Sequence, residues 1–251
     1  MAVCDVLLIA GEAYELRPLA RRLEQRTPLQ VEARYAERGR LHGLECWLVA
    51  DGPGGELASA LAERLLARHR PGCVVSTGTC GATRPQYMIG QVVTGLRTVD
   101  LQNGSEWELA ATRNASSYPQ VIVGSADHVV ATVEEKRRLA VQGIDVVDME
   151  TAPLAAIVQR WAVPLFCLRV VVDGAAESFC IDFNAARDAQ GRFVVRRLLA
   201  QVLRDPLRRL PELLRLGYRA HWVTATLADA LERWLREFAS SRDDVGSRLP
   251  G

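Results

Sequence analysis

The stretch "VVDMETAPLAAIVQRWAVPLFCLRVVVDGA", residues 146–175, decides how the rest of the chain is read. It opens on a short apolar run and passes through Met149, Glu150 and Thr151 into a segment with Ala, Leu and Ile at helical spacing. It then returns through Pro164 to a second apolar run that ends on Asp173. Strand, helix and strand in about thirty residues form the unit from which parallel sheets are assembled. Each strand runs into a carboxylate at the edge where open α/β sheets place their ligands. An ionised Glu among apolar neighbours is costly unless something pairs with it, so Glu150 asks for a partner.

The same alternation extends outward in both directions. Strands are expected at 6–10, 45–50, 73–78, 91–100 and 120–126, with helices at 12–26, at 57–69 after the turn "DGPGGE", and at 132–142. Gly78 and Gly81 are expected to end the strand at 73–78. Continuous Val, Ile and Leu runs point to a sheet covered on both faces. Beyond Asp173 the texture changes: 174–191 reads as irregular, three helical segments follow at 192–204, 206–217 and 219–239, and the polar stretch 240–251 reads as a disordered tail. The expected organisation is one α/β domain over residues 1–239.

Composition narrows the function classes. The 251 residues are 49% hydrophobic, enough for a sizeable core, and 31 basic against 30 acidic side chains leave no single-sign field of the kind that binds nucleic acid. Lys136 is the lone lysine, a bias that reads as genomic composition. Six Cys, at 4, 46, 73, 80, 167 and 180, form no C-x-x-C pair and have no His at metal-ligand spacing, so reduced thiols and no metal site are expected. The opening "MAVCDVLLIA" is a poor signal peptide and a good first strand, and no run approaches the roughly 18 apolar residues of a membrane helix. A soluble cytoplasmic protein is the expectation.

The candidate chemistry lies at strand ends. Glu15 follows the first strand, Glu150 and Asp173 end two others, and two Gly-rich turns, "DGPGG" and "STGTCGA", stand at strand ends as well. Each has a plainer reading. Glu15 and Glu150 suit helix N-termini as acids, and Asp173 before Gly174 suits a turn. "GPGG" lacks the third glycine of the dinucleotide fingerprint, and no Gly-Lys-Ser/Thr follows "STGTCGA". Cys80 has no nucleophile elbow around it and no evident His partner, and His128 reads as a loop or wall residue.

In order and spacing these elements resemble the nucleoside phosphorylase and nucleosidase superfamily, the family of purine and uridine phosphorylases. "VVSTGTCGA" is similar to its strand-to-glycine loop, "DGPGG" falls where its first glycine loop belongs, and the Met-Glu to Asp unit quoted above is similar to its signature. "VVATVEEKRRL" (129–139) and the helical end look most like its hopanoid-associated, adenosylhopane-cleaving branch. The resemblance implies a three-layer α/β/α fold with a mixed, partly barrel-like central sheet, no cofactor, and a homodimer or larger homo-oligomer. It implies cleavage of the N-ribosidic bond of a purine, adenosine-type nucleoside: Asp173 as general acid to the departing base, Glu150 with Met149 on the ribose, and Glu15 activating water. Gly54, Thr79, Cys80, Gly81, Val129 and Asp148 are the further substrate-binding positions it implies.

Water is the favoured nucleophile, because "VVST" carries no Arg where phosphorylases hold phosphate. Phosphorolysis, with inorganic phosphate as co-substrate and a 5′-alkyl, adenosylhopane-like nucleoside among its substrates, stays open, with Arg17, Arg38 or Arg84 as the cation. A non-catalytic nucleoside-binding protein and a Cys80-dependent acyl hydrolase are the rivals. The C-terminal helices, with Tyr218, Trp222 and Trp234 at helical intervals, either complete the core or shape an apolar groove or a membrane-surface face.

Overall fold

In a computed structural model, which describes residues 4–111 and 118–246, with side chains to 241, the chain forms a mixed sheet with helices on both faces. In chain order the elements are β1 (Val6–Ala10), α1 (Ala13–Ala20), β2 (Glu24–Pro28), β3 (Tyr35–Leu41), β4 (Leu44–Ala50), α2 (Gly55–Leu66), β5 (Cys73–Ala82), β6 (Val92–Asp100), β7 (Glu106–Glu108), β8 (Gln120–Ser125), α3 (Val133–Val141), β9 (Val146–Asp148), α4 (Thr151–Arg160), β10 (Leu165–Asp173), α5 (Val195–Arg204) and α6 (Pro206–Gly246). The strand order is β10-β6-β8-β9-β5-β1-β4-β3-β2, and β10 also pairs with β5. That extra pairing closes β10, β6, β8, β9 and β5 into a five-stranded barrel from which β1, β4, β3 and β2 continue as an open sheet.

Alternation along β1 shows how the layers are held. Val6, Leu8 and Ala10 pack with Leu16 and Leu19 of α1 and with Val223, Leu227 and Leu231 of α6. Leu7 and Ile9 point the other way, onto Leu61 and Leu65 of α2 and Leu154 and Val158 of α4. A strand apolar on both faces is what a three-layer sandwich needs, since each face must leave water. Burying one Leu or Ile side chain is worth about 1.5–3 kcal/mol.

Several expectations are corrected. β5 does not stop at Gly78 but runs through the glycine turn to Ala82, because its edge continues to pair with β10 up to the Asp173–Gly81 register. The helix expected over 12–26 ends at Ala20, and residues 24–28 instead form β2 against β3. β2, β3 and β7 are polar and partly exposed, so apolar periodicity could not reveal them. The segments at 206–217 and 219–239 are one helix, α6, with Pro211 and Gly217 inside it. Residues 240–246 of the expected tail continue that helix, and 247–251 lie outside the described residues. Trp234 is buried, stacked on Phe238 with 5.1 Å between ring centroids, so the second half of α6 completes the core.

Candidate active site

Four strand ends and two helix starts converge on one cavity of about 670 Å³, a size typical of small-molecule sites. Glu15, Thr79, Cys80, Gly81, Val129, Asp148, Met149, Glu150 and Asp173 all line it. Each acid is buried, and each is held differently.

Glu15 is the third residue of α1. Its Oε2 accepts the Glu12 N–H at 3.0 Å, the reach-back of an N-terminal capping Glu, while Oε1 accepts the Thr79 N–H at 2.7 Å and the Thr79 hydroxyl at 2.8 Å. Burial pushes its carboxyl above the usual range against the pull of these donors and of Arg169. Thr79, expected against substrate, therefore spends its hydroxyl on Glu15. Gly78 makes room: with φ of 131°, a Cβ there would lie 2.8 Å from the Glu15 carboxylate.

Glu150 precedes the first turn of α4. Its Oε1 accepts the Gly54 N–H, at the start of α2, at 2.9 Å, and its Oε2 accepts from Arg169 at 3.2 Å. Burial pushes this carboxyl up to about 7, Arg169 pulling the other way. Gly54 is thus placed behind the acid and not on the cavity wall, where Pro53 stands instead.

Arg169 is the residue that sequence reading missed. It is 1% exposed and joins Asp148 at 2.7 Å and Glu150 at 3.2 Å, with further bonds to the hydroxyls of Ser76 and Thr151. Four positions before Asp173 on an otherwise apolar strand, it was the signal available: a buried-strand Arg must face carboxylates. Arg17 lines the cavity from an exposed position, whereas Arg84 pairs with Asp145 at 3.0 Å and Arg38 lies on β3 beside Thr27, so neither of the latter two supplies the cation. Asp148 has little left for a ligand: it also accepts from Ser125 at 2.5 Å and from the Thr151 N–H and hydroxyl.

Asp173 ends β10 at a register shift that turns its side chain toward Gly81, where a Cβ would come within 2.9 Å of Oδ2. Burial raises its carboxyl, and Lys136, 2.5 Å away and itself fully buried, opposes that rise. The lone lysine is therefore not compositional residue. Its Nζ also donates to the Gly174 and Glu177 carbonyls, which ties α3 to the acid.

Cys80 lies on the wall, but burial pushes its thiol well above the ordinary value, which disfavours the thiolate that an attacking cysteine needs. His128 is an exposed wall residue bonded to Asp127 and Glu135. Both main-chain groups of Val129 are occupied by the Asn184 carboxamide, at 2.7 and 3.0 Å, so a ligand using them must displace Asn184. No cluster of metal-ligating side chains occurs among the described residues. Phe179, Phe183, Phe193, Leu198, Leu213 and Leu216 also line the cavity and make up its apolar part.

Comparison with known proteins agrees with this architecture. The family model described as the phosphorylase superfamily matches residues 5–109 and 105–204, and the chain belongs to that family. It is an enzyme by that membership. Among individual relatives, the 5′-methylthioadenosine/S-adenosylhomocysteine nucleosidase of Shewanella piezotolerans is 24% identical over 207 residues, covering 70% of this chain and 89% of the relative. That of Geobacillus thermodenitrificans is 24% identical over 211 residues, covering 70% and 87%. The solved structure of the Campylobacter jejuni nucleosidase of the same name superposes with a TM-score of 0.71 at 14% identity, over 93% of this chain and 99% of that one. Futalosine hydrolase of Helicobacter pylori gives 0.69 at 15%, over 94% and 98%. At these identities the structures share the fold.

Proposed function

We infer that the chain hydrolyses the N-ribosidic bond of an adenosine-type nucleoside. The observation that carries this reading is the set of three differently held carboxyls on one cavity, with both nearby buried cations already committed. A purine leaves poorly unless protonated, and Asp173, whose carboxyl burial raises against the pull of Lys136, is the donor. As the C–N bond stretches, positive charge develops on the sugar, and Glu150 accepts a hydrogen bond from the 2′-hydroxyl while its own charge opposes that development. Glu15, held from two sides, takes the proton of the attacking water. Its acceptor bonds from Thr79 and Glu12 favour the ionised form that a base requires.

Water is favoured over phosphate on electrostatic grounds. Arg169 is spent on Asp148 and Glu150, and Lys136 on Asp173, which leaves the exposed Arg17 and Arg21 on the cavity wall to face a phosphate dianion entering beside three buried carboxyls. The apolar part of the cavity suits a hydrocarbon-bearing 5′ carbon, as in the adenosylhopane-cleaving branch, where each buried methylene adds about 0.8 kcal/mol. A homodimer or larger homo-oligomer is part of the same proposal.

The test is a panel of adenosines, with short and alkyl 5′ substituents, incubated with and without phosphate and assayed for free base and for sugar product. Free ribose-type product independent of phosphate is the expected result. Ribose 1-phosphate formed only with phosphate would replace hydrolysis by phosphorolysis, and binding without turnover would leave a nucleoside-binding protein.

A further inference from the structure

The first half of α6 is apolar on two opposite faces. Leu213, Leu216 and Ala220 line the cavity. On the other side Leu207, Leu210, Leu214 and Tyr218 recur every three or four residues and stand in the open, Leu207 at 89% exposure and Tyr218 at 74%. α5 continues the stripe with Val195, Leu199 and Leu203, the last 81% exposed. An apolar face left in the open asks for a cover of its own.

The charge around the stripe says what the cover is. Between Val195 and Arg215 lie six Arg (196, 197, 204, 208, 209 and 215) against two acids, Asp205 and Glu212. Glu212 is turned inward, accepting the N–H groups of Cys180 and Ile181. Arg196, Arg204 and Arg208 are exposed and form no ion pair among the described residues. Apolar side chains flanked by Arg on a short helical elbow are the pattern of an element lying in a membrane interface. No helix among the described residues is long and apolar enough to cross a bilayer, which leaves lying on it. A second copy is the poorer partner: a twofold contact through this face would bring the Arg clusters of both copies together.

We propose that the α5–α6 elbow docks the protein on anionic lipid surfaces, Val195, Leu199, Leu203, Leu207, Leu210 and Leu214 entering the headgroup boundary and Arg196, Arg204 and Arg208 meeting acidic headgroups. Because the opposite face of the same helix walls the cavity, docking sets the cavity's apolar part next to the bilayer. This last consequence rests on the nucleoside reading above, whereas the docking itself does not.

The experiment is flotation of the full chain with vesicles of phosphatidylcholine alone and of phosphatidylcholine with phosphatidylglycerol, at low and high salt. Binding should favour the anionic vesicles and weaken as salt screens the arginines. Leu203→Glu with Leu207→Glu should lower the bound fraction about 10-fold or more, and Arg204→Glu with Arg208→Glu should remove the preference for anionic lipid. Circular dichroism reports whether each variant is folded, and cleavage of a soluble, short 5′-substituted adenosine should be unchanged in both, which separates this proposal from the catalytic one. Absence of flotation with anionic vesicles at low salt overturns it. So does a leucine variant that floats like the parent chain, or one whose only change is a smaller mass by light scattering, which would make the face a contact between copies.

Discussion

Replacing Arg169 by Met should unmask two buried carboxylates at once. The guanidinium is 1% exposed and serves Asp148 at 2.7 Å and Glu150 at 3.2 Å, whereas Met fills similar space without charge. Removing one partner of a buried ion pair costs about 3–5 kcal/mol, because the charge left behind has lost both water and counter-ion. For a domain of this size each kcal/mol moves the melting temperature by roughly 2–4 °C, so a fall of about 6–20 °C is expected. The pH dependence identifies the cause. Burial already lifts Glu150 from 4.5 to about 7, and losing Arg169, which pulls the other way, lifts it further. A carboxyl raised in the folded state favours folding while protonated and loses that advantage as pH climbs from the unfolded value through the folded one. The melting difference between Arg169→Met and the parent chain should therefore be small near pH 5 and large near pH 8, and Glu150→Gln in the same chain should recover part of it. Differential scanning fluorimetry across that range is the assay. A difference under about 3 °C at pH 8, or one of equal size at pH 5, would refute the account of Arg169 as the counter-ion of this cluster.

Four further outcomes concern the reaction. Asp173→Asn should lower turnover about 100-fold or more by removing the proton donor, and Lys136→Met should shift the alkaline limb of kcat/KM upward, since the cation that lowers Asp173 is gone; steady-state assays over pH check both. Glu150→Gln should cost more on ribosides than on 2′-deoxyribosides, and equal losses would leave Glu150 structural. Gly81→Ala should fold but lose at least 10-fold in kcat, because its Cβ would come within 2.9 Å of the Asp173 carboxylate.

The residues at 146–175 already contained the strand, helix and strand, and with them Glu150 and Asp173, because local periodicity and turn chemistry depend only on neighbours in the chain. For the same reason β1, β4 and α2 were legible, and Glu15 could be placed just beyond β1. The closure of β10 onto β5 was not legible as a pairing, since nothing local records which strand edges meet across a hundred residues. Neither were β2, β3 and β7, whose polar composition becomes strand only through partners. The most consequential omissions were cationic. A lone Lys on an amphipathic helix and an Arg in an apolar strand look like surface charge until the fold sets Lys136 against Asp173 and Arg169 against Asp148 and Glu150. Sequence alone therefore named the carboxylates by where they fell along the chain. Their burial, their counter-ions and hence their protonation states are properties of distance and dielectric, which only the tertiary structure decides.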